Sequence, residues 1–320
     1  MKKIVFFISL ISFSTQAQIS IVESNVVTPR YEVSAENVST TLSFLASDDL
    51  EGREPGSKGI EKASRFLENI LNENGIKPYF KTYRDTLSNY DKTTYNIVGY
   101  LEGSDSKLKK EFVIIGAHYD HIGKIAAVNG DDIANGANDN ASGTTAVTEV
   151  VKYFAKFKNN KRSILFVFFS AEEKGLLGSK HLATKWKEQN MDLYFMFNFE
   201  MIGVPMKDKG MDMYLTGFGR SNMAAKMNEY AGEKLVGFLP VEMRYMLFRA
   251  SDNYPFFTEF NVPSHTVSTF DFENFEFYHQ PDDEFELMNT KHMANVISKT
   301  IPVLEKMINT PAKEIKLNEK

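Results

Sequence analysis

Apolar and polar positions along the chain fall into two rhythms that alternate. EFVIIGAHYD (111–120) and RSILFVFF (162–169) are nearly unbroken apolar runs of strand length, the pattern of strands buried on both faces. YNIVGYLEG (95–103), Asp192 to Phe199, MDMYLTG (211–217) and VPSHTVSTF (262–270) read as further strands. Between them lie helical patterns: Asn37 to Ala46, a strongly amphipathic stretch from Gly59 to Asn74, Thr144 to Phe157, Gly178 to Glu188, Ser221 to Ala231 and a long closing helix from Thr290 to Ile308. Strands alternating with helices predict an α/β fold: a single three-layer domain, with a mostly parallel mixed β-sheet and helices on both faces. Residues 18–35 carry no firm period and read as a tail or a first strand, which leaves 36–320 as one domain. The longest irregular stretches, about 121–138 and 271–289, are candidate functional loops.

The first seventeen residues differ in kind. MKKIVFFISLISFSTQA has two lysines, an apolar run and small residues at its end, the form of a cleavable signal peptide and too short for a membrane span. Its removal takes Lys2 and Lys3 and no acid, moving the formal charge from −5 to −7. That balance argues against nucleic acid as a partner. With no cysteine anywhere, disulfides are excluded, and the expected location is exported, either periplasmic or extracellular.

In open α/β sheets ligands bind beyond the carboxyl ends of the strands, so polar residues at those ends converge. The ends supply His118 and Asp120 (GAHYDH), Glu172 and Glu173 (SAEEKG) and Glu200 (NFEMIG). The loops add Asp139 (NGANDNASG), Asp252 (SDNYPF) and His279 (YHQPDD). Adjacent acids such as Glu172 and Glu173 repel unless a cation or a proton sits between them. Two imidazoles among several carboxylates form the donor set of a divalent transition metal, zinc foremost, with enough carboxylate for two ions. Each residue also has a plainer reading: Asp139 and Asp252 as helix caps, the Glu172–Glu173 pair as a solvated turn, His279 as part of a polar loop. His121 reads as a supporting or surface group, His181, His265 and His292 as structural, and Trp186 as helix packing. The aromatic run FDFENFEFYH (270–279) fits either a core edge or the wall of a side-chain pocket.

Taken together and in this order, these six motifs resemble the bacterial zinc aminopeptidase family, the dizinc exopeptidases related to glutamate carboxypeptidase, glutaminyl cyclase and the transferrin receptor ectodomain. The resemblance runs from LASDDLEGREPGSKG (45–59) to the last helix. It implies that His118 binds one zinc ion and His279 a second, that Asp139 bridges them, and that Glu173 and Glu200 each complete one site. It makes Glu172 the general base, Asp120 the acid that orients His118 through its other ring nitrogen, and Tyr278 a donor to the developing oxyanion. It also implies a cis peptide bond between Asp139 and Asn140. Two positions depart from the family: Glu200 stands where Asp is more usual, and Asn253 where His often follows Ser-Asp. The implied activity is removal of N-terminal residues from peptides with a free amine. The alternatives are a glutaminyl cyclase, which would favour an acid where this chain has Ala171 and a Trp where it has Tyr278, and a metal-free binding module, which the retained donor set argues against. Nothing in the sequence specifies an oligomeric state.

Overall fold

A computed structural model describes residues 31–319. The signal-peptide segment 1–17, and the tail up to residue 30, lie outside the described residues. The elements in order are α1 (Ala35–Leu45), α2 (Lys58–Glu73), β1 (Lys77–Pro78), β2 (Arg84–Thr86), β3 (Tyr95–Leu101), β4 (Phe112–His118), β5 (Gly123–Val128), β6 (Asp131–Ala134), α3 (Gly143–Phe157) and β7 (Ser163–Phe169). They continue with α4 (Leu177–Glu188), β8 (Leu193–Glu200), β9 (Met213–Leu215), α5 (Met223–Ala231), β10 (Val236–Gly237), α6 (Val241–Arg244), α7 (Asn253–Phe260), β11 (Ser264–Ser268) and α8 (Thr290–Asn309).

The helix starts follow local chemistry. Ser34 caps α1 by accepting from the Asn37 N–H, Ser57 caps α2 through Ile60 N–H, and Asn289 caps α8 through His292 N–H. Ser34 starts α1 at Ala35, so the helix begins inside the stretch read from sequence as tail. In α2, Ile60, Ala63, Leu67, Ile70 and Leu71 recur at helical spacing and are all buried.

Four central strands, β7-β4-β8-β11, are mutually parallel and form the heart of a nine-stranded sheet among the described residues. At the margins β3 pairs antiparallel with β1, β2 and β7, and β9 antiparallel with β11, while the edge strand β10 runs parallel to β9. Side chains of the parallel strands alternate between two apolar layers. Ile164, Phe166 and Phe168 of β7 join the core beneath α1, α2, α3, α5 and α8, while Leu165, Val167 and Phe169 join the core beneath α4 and α7. Burial on both faces explains why these strands read as unbroken apolar runs. Each such side chain stabilises the fold by roughly 1.5–3 kcal/mol of transfer free energy. Trp186 lies fully buried in the second core, as its packing role requires.

Parallel pairing brings the carboxyl ends of β4, β7 and β8 to one edge. His118 lies opposite Phe169, the last residue of β7, and Glu200 ends β8 one strand away. The stretch 121–138 is less irregular than its sequence suggests. It holds the two-stranded sheet β5–β6, whose exposed alternation is too weak to register as a strand period.

Candidate metal centre

The chain between β6 and α3 passes the sheet edge at very close range. A Cβ on Gly143 would lie 2.5 Å from the Phe199 carbonyl oxygen, and one on Gly136, in the left-handed region at φ 57°, 2.5 Å from the His121 ring. Glycine at both places lets Asp139 reach the ends of β4 and β8. The Asp139–Asn140 peptide bond is cis, as the family resemblance implies.

Asp139 lies between two imidazoles. Its Oδ1 is 3.3 Å from His118 Nε2 and its Oδ2 is 3.2 Å from His279 Nε2. His118 Nε2 is also 2.8 Å from Glu200 Oε1, and His279 Nε2 is 3.1 Å from Glu173 Oε2. Tetrahedral zinc with bonds of about 2.0–2.2 Å would separate neighbouring donor atoms by roughly 3.3 Å, close to the 3.1–3.3 Å edges around Asp139 and His279. His279 Nε2 is buried and makes no aligned hydrogen bond to either carboxylate beside it, the disposition of donors around a common ion. The donor set therefore fits zinc: His118, Asp139 and Glu200 form one group, and around Asp139 and Glu173 stand two imidazoles, that of His279 and that of His121, whose Nδ1 is 4.0 Å from Asp139 Oδ2.

The electrostatics point the same way. Burial alone would lower the His118 pKa, but Glu200, Glu172 and Asp139 raise it well above the ordinary imidazole value. Burial opposes the Asp139 charge too, and the imidazoles around it hold its pKa well below the usual carboxylate range. Glu172 moves in the opposite direction, raised well above its ordinary value by burial and by the charges of Asp252, Glu200 and Glu173. It makes no side-chain hydrogen bond among the described residues and faces the same cleft as the two metal groups. A carboxylate beside a metal group and predisposed to take a proton has the properties of a general base.

One expectation needs correction, and one open pair of readings is narrowed. The ring of His118 is oriented by the main chain of Asp120, whose carbonyl oxygen lies 3.1 Å from Nδ1, with the carboxylate further off at 3.8 Å. The Asp120 carboxylate instead accepts from the backbone N–H groups of Glu172 (3.1 Å) and Glu173 (3.3 Å) and fixes the turn that presents both acids. It lies between the ends of β4 and β7, closer to that turn than to the ring. His121, left between a supporting and a surface role, is fully buried, with Nδ1 2.9 Å from Glu173 Oε1. Its ring meets that of His279 edge-on with centroids 5.6 Å apart, and the spacing of the two histidines in GAHYDH is the signal that could have placed it.

Around these groups opens a cleft. Phe270, Phe272 and Tyr278 form one wall, while Phe275 of the same aromatic run is buried in the core. The run is thus both pocket wall and core edge. Tyr278 stacks on His279 with ring centroids 3.9 Å apart. Ser251 Oγ donates to Glu200 Oε2 at 2.7 Å and accepts from Asn198 Nδ2, so the longer Glu200 side chain is held with one oxygen toward His118. Asp252 makes no capping bond to α7 and is fully buried, and burial raises its pKa to about 8. His265 bonds Ser221 and the Thr216 carbonyl inside the core, and no helix of the described residues is long and apolar enough to cross a membrane.

Comparison with known proteins follows the same lines. The family model of peptidase family M28 matches residues 96–303. The aminopeptidase YwaD of Bacillus subtilis (strain 168) is 29% identical over 208 residues, which cover 63% of this chain and 42% of that protein, so this chain spans less than half its length. Among solved structures, the Legionella pneumophila LapA aminopeptidase superposes with a TM-score of 0.67 at 20% identity, covering 87% of this chain and 73% of that one. The Porphyromonas gingivalis glutaminyl cyclase does so equally well, with a TM-score of 0.67 at 17% identity and coverage of 87% and 100%. Both structural likenesses are to the fold.

Proposed function

Because the chain belongs to peptidase family M28, we propose that it is an exported zinc aminopeptidase that hydrolyses the first peptide bond of peptides with a free N-terminus. The observation that carries this reading is the placement of Asp139 between His118 and His279, one oxygen to each, with Glu172 facing the same cleft. His118, Asp139 and Glu200 would hold one ion, and Asp139, Glu173 and His279 the other. Bound zinc supplies Lewis acidity, lowering the pKa of a water and polarising the scissile carbonyl. Glu172 takes the proton from the attacking water and returns it to the leaving amine, a transfer suited to its raised pKa.

Tyr278, at the rim and stacked on His279, donates its hydroxyl to the oxygen on which charge develops. The substrate's α-ammonium enters a cleft lined by Asp139, Glu172, Glu173 and Glu200. Beyond the acids and His118 the lining is aromatic, aliphatic and hydroxyl-bearing, with no lysine or arginine, which favours an uncharged and mainly apolar N-terminal residue. Ala171 and Tyr278 stand where a cyclase would favour an acid and a tryptophan, so the peptidase is the preferred reading on this scaffold.

The test is mass spectrometry of a mixture of short peptides with different free N-termini, incubated with the purified protein with and without a chelator. Chelator-sensitive loss of single N-terminal residues, fastest for Leu, Met and Phe, is the expected outcome. Loss of ammonia confined to a glutamine peptide would make the protein a cyclase, and unchanged masses would make it a binding protein. Export is tested separately, by N-terminal sequencing of the chain recovered outside the cytoplasm, which should begin near residue 18.

A further inference from the structure

Besides Glu173 and Glu200, metal donors come from three segments: 118–121 at the end of β4, 135–139 before α3, and 279–283 in the long loop before α8. One buried cation and one buried anion tie them together without touching any donor side chain. Arg53, only 1% exposed, spreads its guanidinium over main-chain carbonyls. Its Nε donates to Tyr119 O at 2.8 Å, Nη1 to Asn135 O at 2.6 Å and also to Leu45 O, and Nη2 to Gly136 O at 2.9 Å. The Arg53 carbonyl in turn accepts from the His121 N–H.

Asp283, fully buried, takes the other half of the same loop. Its carboxylate oxygens accept from Asn138 N–H at 2.8 Å and Asp139 N–H at 3.0 Å, and its carbonyl accepts from Ala137 N–H at 3.0 Å. Two carbonyls and three consecutive N–H groups of residues 135–139 are thereby paired with two residues. Tyr119 sits directly between His118 and Asp120, and Asp283 lies in the YHQPDD motif that contains His279.

We propose that Arg53 and Asp283 are positioning residues that set the spacing of Asp139 from His118 and from His279, and that they thereby govern zinc affinity without contacting metal or substrate. The inference rests on the zinc-peptidase reading above. The chemistry of the two side chains supports it. A planar guanidinium reaches carbonyls of separate segments at once, which a lysine ammonium on a flexible stem does not reproduce. An aspartate accepts from two successive N–H groups, whereas asparagine offers one acceptor oxygen.

The test uses Arg53→Lys, which keeps the charge and loses the fork, and Asp283→Asn, which keeps the shape and loses an acceptor. Zinc affinity is measured by competition with a chromophoric chelator, and melting midpoints are measured for the metal-free and zinc-loaded forms. Groups that support metal ligands from behind are worth about 10- to 100-fold in affinity, and that is the loss expected for each variant. The rise in melting midpoint on zinc loading should shrink with it, because stabilisation by a ligand follows its affinity. Unchanged zinc affinity, with metal-free and zinc-loaded midpoints lowered equally, would reduce the pair to ordinary structural residues and overturn the inference.

A wild-type chain that binds no zinc overturns instead the reading of the site. If both variants fail to fold, hydrogen exchange on the metal-free wild type decides. Slow exchange at the amides of 137, 138 and 139 supports the clamp, and exchange as fast as in exposed loops overturns it.

Discussion

The two halves of the metal centre are built differently. His118 and Glu200 end adjacent parallel strands, and the His118 ring is buried and fixed through Nδ1 by the main chain of Asp120. Glu173 and His279 come from turns, and His279, at φ 59°, leaves 35% of its side chain exposed. The strand-end half is held by the sheet register itself, whereas the loop half depends on hydrogen bonds and on stacking with Tyr278. Affinity and exchange should therefore differ between the halves, the loop half being the one a chelator reaches first.

The largest effect concerns the residue that serves both halves. Glu172→Gln should leave zinc content unchanged and lower kcat by about 10²- to 10⁴-fold, the usual contribution of a positioned proton acceptor. Steady-state kinetics with metal analysis checks it, and retention of most activity would remove Glu172 from its role. Next come the ligands. His279→Ala should reduce bound zinc from about two equivalents to about one, with the fold intact, whereas Asp139→Ala should lose both because it faces both ions. Elemental analysis of the dialysed variants separates these outcomes, and equal loss from both would mean that the halves do not load independently.

Smaller again is Ser251→Ala. It removes the donor to Glu200 Oε2 and should weaken the strand-end site by about 10-fold, with the loop site unaffected, as read in a stepwise zinc titration. A last effect, confined to stability, separates acid damage to the fold from acid loss of metal. Burial lowers the His265 pKa from 6.5 to about 4, so at intermediate pH the unfolded chain binds a proton that the folded chain refuses. Its contribution is intact above pH 6.5 and is lost as pH falls toward 4, by up to about 3 kcal/mol. Replacing His265 with Asn should flatten that part of the stability profile in denaturant titrations and leave zinc binding near neutral pH unchanged.

The halves also differed in how well the sequence disclosed them. Unbroken apolar runs announced β4 and β7, and a donor at the end of such a run, like His118 or Glu200, inherits the position of its strand. The loop donors Asp139 and His279 stand on no periodicity; they entered as candidates from their residue type, and the order of the motifs, matched to a family, is what implied their roles. What stayed hidden was contact between segments far apart in sequence. Whether the carbonyl or the carboxylate of Asp120 meets His118 is decided by a turn conformation, not by composition. His121 and Arg53 look alike in sequence to any surface polar residue, and their burial depends on how the loop before α3 crosses the sheet edge. The hairpin β5–β6 escaped because its strands are mostly exposed and carry no alternation to read.

The central claim is that two ions share Asp139. Anomalous diffraction at the zinc edge, on crystals of the zinc-loaded protein, tests it most directly. The account predicts two peaks, one among His118, Asp139 and Glu200 and the other among Asp139, Glu173 and His279, with Glu172 facing both and bound to neither. A single peak, or a peak ligated by Glu172, would contradict it.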